Sequence, residues 1–584
     1  MPDLIAHNQN ALLFFSALLF SLCLMPVVIR LSFRINAIDL PDARKVHAKA
    51  VSRLGGVALA AGLVVPLLLF RDMDRTLAAF LAGAVIVAAT GLLDDIFHIP
   101  PAAKFVGEIL AAAVFVFASG LSLEELGDFL GTGEIRTGVL APAVTIFCMV
   151  GVMNALNLSD GLDGLAGGIA ATACAFLGIF AYFGRDWISL SILVALFGSL
   201  FGFLRYNTHP ANLFMGDTGS LVLGYSLSAV SVKLAQNYHT GIYLSPVTVA
   251  AVLTLPILDT LLVMLHRIWH GGNPFHPDKT HLHHRLLNLG LPHAVVVPIL
   301  YICTASFGFQ AWFLRSYPDR TQFTALLALG AVIYGLAFLA QRIRNRWGVR
   351  AEKKESPRAE GPESLPGRVM RNSARAVGWL IGIGLFVPTV LLGSVPRALS
   401  LAALAAAGFV IVLFPWRSRR SRPGMCGGLT YIACACLMAI LQFVPDAPRW
   451  LPAYHAALSA LVMAWVLLKM RYRGHKEILF LSSFEILLIG ASLMIPFVLM
   501  PSFGLEEGIR RTTITVCLES IAFLMAMKIL IRGQPGRDYV IAGFFLIALV
   551  IIGAKGLLLP LQPVLTPPAA HASAPSRAVP VSFR

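Results

Sequence analysis

Two adjacent carboxylates, Asp94 and Asp95, end the apolar run 77–93 and are the side chains best placed to do chemistry. An ionised Asp within a membrane helix costs about 3 kcal/mol on insertion scales, and neighbouring acids also repel each other. The C-terminal end of a helix is itself negative, which adds to the cost. The sequence therefore predicts that a cation compensates this pair. The alternative is a loop that has simply left the bilayer.

Two further segments combine acids with glycines and could approach a phosphate. Residues 214–220 read FMGDTGS, which places Asp217 at a predicted helix N-terminus. Free backbone N–H groups there suit a phosphate, and a carboxylate can hold a hard cation such as Mg²⁺. Residues 157–164 read NLSDGLDG, in which Asp160 and Asp163 stand beside glycines. A helix cap and an Asx turn are the alternatives without a functional role.

A histidine cluster and a basic loop are candidate phosphate contacts. The cluster at 281–284 reads HLHH and has Arg267, Lys279 and Arg285 as basic neighbours. No cysteine or fourth ligand stands nearby, so the pattern does not favour zinc. The basic loop 44–53 either contacts anionic substrates or only determines topology.

The composition is that of a polytopic membrane protein. The chain has 584 residues, of which 57% are hydrophobic and 13% charged, whereas a soluble domain carries about 25% charge. Repeated apolar runs of spanning length predict an all-α transmembrane helical bundle. The net charge of +16 does not indicate nucleic-acid binding, because Lys and Arg gather in the cytoplasmic loops of membrane proteins. The cysteine spacing suggests neither a disulfide framework nor a zinc ribbon.

We predict about eleven spans in a catalytic half and about seven more in a C-terminal half. The boundaries are a membrane domain over 1–341, a basic cytoplasmic linker over 342–376, a second transmembrane region of unknown role over 377–560 and a disordered Pro/Ala-rich tail over 561–584. The apolar runs of the catalytic half are 11–33, 56–70, 77–93, 104–120, 139–156, 164–182, 187–204, 213–232, 246–265, 294–314 and 323–341.

Charge predicts the orientation of these spans. The first run is too long for a signal peptide and has no basic segment before it, so we expect a retained span with the N-terminus outside. The basic loop 34–55 then lies inside and the acidic loop 121–138 outside, as the positive-inside rule requires. All the segments described above then face the cytoplasm. A transporter would more often place such groups near the midplane.

Taken together, these segments resemble the polyprenyl-phosphate N-acetylhexosamine-1-phosphate transferase family over about residues 1–345. The segment 278–286 (DKTHLHHRL) is similar to the GlcNAc-1-phosphate branch of this family. The muramyl-pentapeptide branch has Thr-Pro-Thr-Met-Gly-Gly where this chain reads AVSRLGG at 50–56. The matching segments are 42–47 (DARKVH), 53–56 (RLGG), 91–95 (GLLDD), 154–164, Asn207 with 212–220 (NLFMGDTGS), 256–259 (PILD) and 278–286 (DKTHLHHRL).

The resemblance implies transfer of GlcNAc-1-phosphate from a UDP-N-acetylhexosamine to undecaprenyl phosphate, with release of UMP. It implies a multi-pass enzyme of the bacterial inner membrane, with its active site on the cytoplasmic face and Mg²⁺, or else Mn²⁺, as cofactor. The product would begin a cell-surface polysaccharide such as O-antigen, and a homodimer is left open. The alternatives are a phospho-MurNAc-pentapeptide transferase and a non-enzymatic lipid transporter.

The resemblance also implies roles for individual residues. Asp217 would bind the metal with Asn157 near it, and Asp94 and Asp95 would lie at the lipid phosphate. The implied catalytic residues are Asp94, Asp95, Asp217, His281, His283 and His284. The implied substrate-binding residues are Lys45, His47, Arg53, Asn157, Asp160, Asp163, Asn207, Phe214 and Arg267.

Overall fold

The computed structural model describes residues 2–40, 50–236, 244–272 and 280–347, with 365–392, 450–473, 538–558 and scattered residues among them. Most of these residues are helical. The helices up to residue 347 are α1 (Pro2–Arg34), α2 (Gly55–Phe70), α3 (Arg75–Phe97), α4 (Pro101–Ser119), α5 (Ala141–Leu158), α6 (Leu165–Phe183), α7 (Trp187–Asn207), α8 (Gly216–Ala235), α9 (Pro246–Val252), α10 (Thr254–Trp269), α11 (Leu282–Asn288), α12 (His293–Leu314) and α13 (Asp319–Trp347).

The predicted all-α membrane fold is confirmed. Each of the eleven apolar runs before residue 342 lies on helix. Among the described residues, eight helices are long and apolar enough to cross a membrane, and the bent pair α9–α10 makes up to nine. The described β-sheet consists of two short antiparallel strands, β1 (Ile38–Asp39) and β2 (Val51–Ser52).

Three long described helices after residue 364 lie in a second compact unit, apart from the last residue of one of them, Arg473. Its long described helices are α14 (Leu365–Leu391), α15 (Trp450–Arg473) and α16 (Asp538–Leu558). They lie on three of the seven apolar runs expected after residue 376. The centre of the predicted linker, 348–364, and the tail 561–584 lie outside the described residues, so the predicted domain boundaries stay predictions.

α8 forms the centre of the first unit. It packs against α2, α3 and α5, and almost every residue from Thr218 to Ala235 is buried. Tyr225 is fully buried between Phe80 and Phe115, and its hydroxyl donates to the Phe80 carbonyl at 3.0 Å. Because protein surrounds α8, its serines need not face lipid.

The ninth apolar run does not form a straight span. α9 and α10 meet at Leu253 with a bend of 83°. Pro256 lies in the first turn of α10. Proline has no N–H, so it cannot donate to the carbonyl four residues earlier, and its ring crowds that carbonyl. The sequence prediction of one continuous run missed this bend, although the proline that explains it was visible.

Candidate active site

Asp95 caps the N-terminus of α8 from a different helix. Its carboxylate is 1% exposed and accepts the backbone N–H groups of Asp217 at 2.8 Å and Thr218 at 3.0 Å. It also accepts the Thr218 hydroxyl at 2.6 Å. The C-terminal end of α3 disfavours a negative charge, but the positive N-terminal end of α8 favours it, and Asp95 lies between the two. In this arrangement Asp95 positions α8, and its predicted catalytic role stays a prediction.

Lys104 supplies the cation that the acidic pair was predicted to need. It lies near the start of α4, which follows α3 after the short loop 98–100. Its ammonium donates to the Asp217 carboxylate and lies 4.0 Å from that of Asp94. Asp94 also forms a side-chain hydrogen bond with Asp217. Two carboxylates from separate helices therefore share one lysine.

Asn157, at the end of α5, completes this group. Its side-chain amide donates to Asp217 at 3.1 Å and to the Ser220 hydroxyl at 2.8 Å. Two carboxylates and an amide are the oxygen-bearing groups that Mg²⁺ uses in proteins, together with substrate phosphates. The carboxylates of Asp94 and Asp217 already stabilise one positive charge here, that of the Lys104 ammonium. These residues therefore fit a hard divalent cation, with Asp217 and Asn157 as the protein groups predicted to hold it.

Two glycines allow α8 to approach its neighbours this closely. Gly216 has φ of +66°, which favours glycine, and a Cβ there would clash with the Asp95 carboxylate. A Cβ on Gly56, at the start of α2, would clash with the backbone of Gly219. The Gly56 N–H donates to the Met215 carbonyl at 2.8 Å. The predicted RLGG and FMGDTGS motifs are thus in direct backbone contact.

Asn207 connects the two loops predicted to line the nucleotide region. It is 2% exposed, and its carbonyl accepts the Gly164 N–H at 2.8 Å. Its amide donates to the Leu213 carbonyl at 2.9 Å. These bonds hold the loop after α5 against the loop after α7. In this structure Asn207 therefore fixes the position of these two loops relative to each other.

The pKa values of the two acids in the 159–164 loop, Asp160 and Asp163, are shifted in opposite directions. Burial, with repulsion from Asp217, Asp95 and Asp163, raises the pKa of Asp160 to about 7. Burial also acts to raise the pKa of Asp163. Hydrogen bonds from His209 and the Ala211 N–H outweigh it and hold that pKa below its usual range. Asp163 accepts from His209 at 2.7 Å and from Ala211 at 3.1 Å.

Asp259 holds the histidine segment in place. Its buried carboxylate contacts His281 Nδ1 at 2.8 Å and accepts the Leu282 N–H at 2.9 Å. It also accepts the Tyr334 hydroxyl at 3.0 Å. Asp259 therefore fixes the ring of His281 and the first turn of α11. The family resemblance described above included the segment PILD at 256–259 but implied no role for Asp259.

His283 faces the 159–164 loop from this segment. A Cβ on Gly161 would clash with its Nε2, and that nitrogen has no hydrogen-bond partner among the described residues. A cavity of about 20 Å³ beside it, also lined by Ser159 and Asp259, has room for about one water. Burial and then the neighbouring His284 lower the pKa of His283 to about 3. His283 is therefore a neutral hydrogen-bonding group at physiological pH.

The remaining predicted residues are more scattered. Arg53 Nη1 lies 3.1 Å from His98 Nε2, which connects β2 to the loop after α3. Arg267 is half-buried in the last turn of α10. Phe214 donates its N–H to the Ser52 carbonyl at 2.7 Å. Lys45 and His47 lie outside the described residues.

Sequence reasoning missed Lys104 and its neighbour Glu108. Glu108 is fully buried on α4 and accepts a hydrogen bond from Asn154 on α5. A signal was present, because the two charges stand four residues apart within a strongly apolar stretch. That spacing places both on one face of a helix, and charged groups inside a span are functional candidates.

Comparison with known proteins agrees with this geometry. Residues 77–235 match the profile described as Glycosyl transferase family 4. The probable undecaprenyl-phosphate N-acetylglucosaminyl 1-phosphate transferase of Bacillus subtilis (strain 168) is 36% identical over 304 residues, 52% of this chain and 84% of that protein. The decaprenyl-phosphate N-acetylglucosaminephosphotransferase of Mycobacterium tuberculosis (strain H37Rv) is 35% identical over 346 residues, 54% of this chain and 84% of that protein.

A more distant relative covers a similar region. The undecaprenyl-phosphate alpha-N-acetylglucosaminyl 1-phosphate transferase of Yersinia pestis is 26% identical over 339 residues, 57% of this chain and 90% of that protein. The profile match over 77–235 contains Asp94, Asp95, Lys104, Asn157 and Asp217, which meet at the N-terminus of α8. With these relatives and this arrangement, the chain belongs to the polyprenyl-phosphate N-acetylhexosamine-1-phosphate transferase family.

Proposed function

We propose that the protein transfers GlcNAc-1-phosphate from UDP-GlcNAc to a polyprenyl phosphate, releasing UMP. The observation that carries this proposal is the group formed by Asp94, Lys104, Asn157 and Asp217 at the N-terminus of α8. It combines a carboxylate and amide set suited to Mg²⁺ with a lysine that can contact phosphate. The names of these relatives specify N-acetylglucosamine, which favours this sugar over the muramyl-pentapeptide alternative.

The acceptor phosphate needs little activation. Its second pKa is about 6, so at neutral pH it is largely a dianion. It can attack the β-phosphorus of the donor as the bond to UMP breaks. The task of the protein is to align two anions and offset their repulsion. Lys104 would supply positive charge at the reacting phosphates, and Asp94 would orient the acceptor or take its proton.

The supporting residues would set the shape of the donor site. Mg²⁺, held by Asp217 and Asn157, would neutralise charge on the pyrophosphate. The loop with Asp160 and Asp163 would line the nucleotide region, with Asn207 holding its backbone. We place this site at the cytoplasmic face of the inner membrane, where a soluble nucleotide sugar and a lipid phosphate can meet. The basic end of α13 supports that orientation.

The test is UMP release by purified full-length protein supplied with UDP-GlcNAc, undecaprenyl phosphate and Mg²⁺. Asp217→Asn should abolish turnover, because it removes the charge expected to hold the cation. Asp186→Asn is the matched control, since Asp186 is also a buried acid paired with a lysine, Lys233, but at the other end of α8. Near-normal turnover by Asp217→Asn would contradict the metal assignment, and no UMP release by the unaltered protein would contradict the function.

A covalent route is a separate alternative. An aspartyl-phosphate intermediate would let the enzyme accept sugar-phosphate from the donor before the lipid binds. Incubation with labelled UDP-GlcNAc in the absence of undecaprenyl phosphate distinguishes the routes. Direct attack predicts no labelled protein, whereas trapped sugar-phosphate on the protein would rule that version out.

A further inference from the structure

Three side chains from three separate elements converge beside the proposed nucleotide region. Asp163 lies on the loop after α5, His209 on the loop after α7, and His293 is the first residue of α12. One ligand atom from each lies within 4.8 Å of the other two. His209 Nδ1 lies 2.7 Å from the Asp163 carboxylate, and the rings of His209 and His293 stack with centroids 4.3 Å apart.

His293 gives this cluster an unusual feature. Both of its ring nitrogens are shielded from solvent, and neither has a hydrogen-bond partner among the described residues. An imidazole always has at least one N–H donor, so a shielded ring without a partner loses hydrogen bonds that it would form in water. Such a group calls for an explanation, and a bound ion is one of the common ones. A metal bond would satisfy one of these nitrogens.

We propose that Asp163, His209 and His293 bind a divalent transition-metal ion of the zinc class, at a site separate from the Mg²⁺ position around Asp217. Two imidazoles and one carboxylate suit Zn²⁺, Co²⁺ or Ni²⁺, whereas Mg²⁺ prefers an all-oxygen set. Three protein ligands leave one tetrahedral position open. The exposed side chain of His209 gives the ion access from solvent. Modest rotation of the three side chains would bring their ligand atoms to bonding distance.

The bound ion would connect three segments that are distant in sequence. It would join the loops after α5 and α7 to the start of α12, where Asn207 already provides one link between the two loops. Because an ion that binds only the folded protein stabilises it, occupancy should raise the melting temperature. This inference does not depend on the proposed transfer reaction.

The test uses chelator-treated full-length protein in detergent, with Mg²⁺ kept in excess to fill hard-cation sites. Calorimetric titration with Zn²⁺ should show one site per chain, and Zn²⁺ should raise the melting temperature. His293→Gln should weaken Zn²⁺ binding at least about tenfold and remove that rise. Co²⁺ bound in place of Zn²⁺ should give the visible absorption spectrum of a tetrahedral site.

A second variant and a matched histidine pair keep the test decisive. His209→Gln should weaken binding as His293→Gln does, and because its side chain is 41% exposed we expect the variant to fold, which its melting temperature without Zn²⁺ checks. His266, on α10, and His270, which follows that helix, form another close ring pair with centroids 4.2 Å apart, and both are exposed. Unchanged Zn²⁺ affinity in His293→Gln and His209→Gln, loss of binding in His266→Gln instead, or displacement of Zn²⁺ by Mg²⁺ would each overturn the proposal.

Discussion

The side chain of Lys104 lies between two carboxylates that come from α3 and α8. It donates to Asp217 and lies 4.0 Å from Asp94. Without this ammonium, the acids would repel each other in a largely buried site, where charge interactions are stronger than in water. The same positive charge is available to an incoming phosphate. At the residue scale, Lys104 therefore connects the stability of the site with its proposed chemistry.

Replacing this lysine should separate its two roles. We expect Lys104→Gln to reduce UMP release by about 10²-fold, the effect seen when one preorganised group that stabilises developing charge is removed. Lys233→Gln is the control, because Lys233 is also a partly buried lysine paired with an acid, Asp186, at 2.6 Å. Equal losses in the two variants would show that Lys104 acts on folding alone.

Asp160 should give the protein a characteristic pH dependence. Its pKa of about 7 lies above the ordinary Asp value, so folding favours its protonated form. This group therefore stabilises the fold at low pH, and that contribution is lost as pH rises from about 4 to about 7. Asp160→Asn removes the effect. We expect the melting temperature of the variant minus that of the unaltered protein to increase from about pH 5 to about pH 8 in buffer without divalent cations.

The exposed acid Asp72, between α2 and α3, provides the control for this measurement. Asp72→Asn removes one carboxylate from the surface and so controls for the loss of a single negative charge. A melting-temperature difference for Asp160→Asn that stays constant or shrinks with rising pH would contradict the assigned direction of the pKa shift.

The surroundings of a single residue could be predicted where its charge is costly to bury. The acids at 94–95 demanded a cation because a membrane helix is a poor place for two charges, and the structure contains one. Asp95 as a cap for α8 was not predictable, because that bond joins residues 122 positions apart. The separate roles of His281 and His283 were also hidden, because both are buried and they differ only in what they face, His281 contacting Asp259 and His283 lying against Gly161.

At the element scale, α8 is held in place by backbone contact with α2. Gly56 has no room for a side chain because the backbone of Gly219 lies against it. Apolar runs predicted the positions of both helices, since hydrophobic length is a local property. They could not predict this close packing, which depends on which helices become neighbours. The bend at Leu253 was missed for a related reason, because hydropathy does not register a missing N–H donor.

A methyl group at this contact should therefore separate the two helices. We expect Gly56→Ala to lower the melting temperature and to abolish UMP release, because the N-terminus of α8 carries Asp217. Gly178→Ala, within α6, is the matched control, since a Cβ there meets nothing within 4 Å. Full activity in Gly56→Ala would show that the backbone contact is not needed for the site.

At the scale of the whole molecule, the described candidate-site contacts all lie before residue 348. Residues 365–472 and 507–584 form a second compact unit. The curated relatives match only about half of this chain, although the match covers 84% of the Bacillus subtilis protein. That relative is therefore little longer than the matched segment.

Truncation tests whether the residues after Trp347 are needed for the proposed reaction. A chain ending after Trp347 should retain most of its UMP release, because the described residues of the candidate site all precede that point. The full-length protein, purified in parallel, is the reference for specific activity. A truncated protein that remains folded by thermal unfolding but releases no UMP would show that later residues contribute to catalysis.

The bend between α9 and α10 has a consequence for how the lipid substrate is supplied. Beyond the bend, Asp259 and Val263 face the protein, while Leu261, Leu265 and Trp269 are exposed, Trp269 by 89%. In a membrane protein such an apolar face contacts lipid. The acceptor can then reach the site by diffusing within the membrane plane, without its tail entering water. The rate should therefore follow the mole fraction of polyprenyl phosphate in the bilayer or micelle, and fall when inert lipid dilutes that surface at constant bulk concentration.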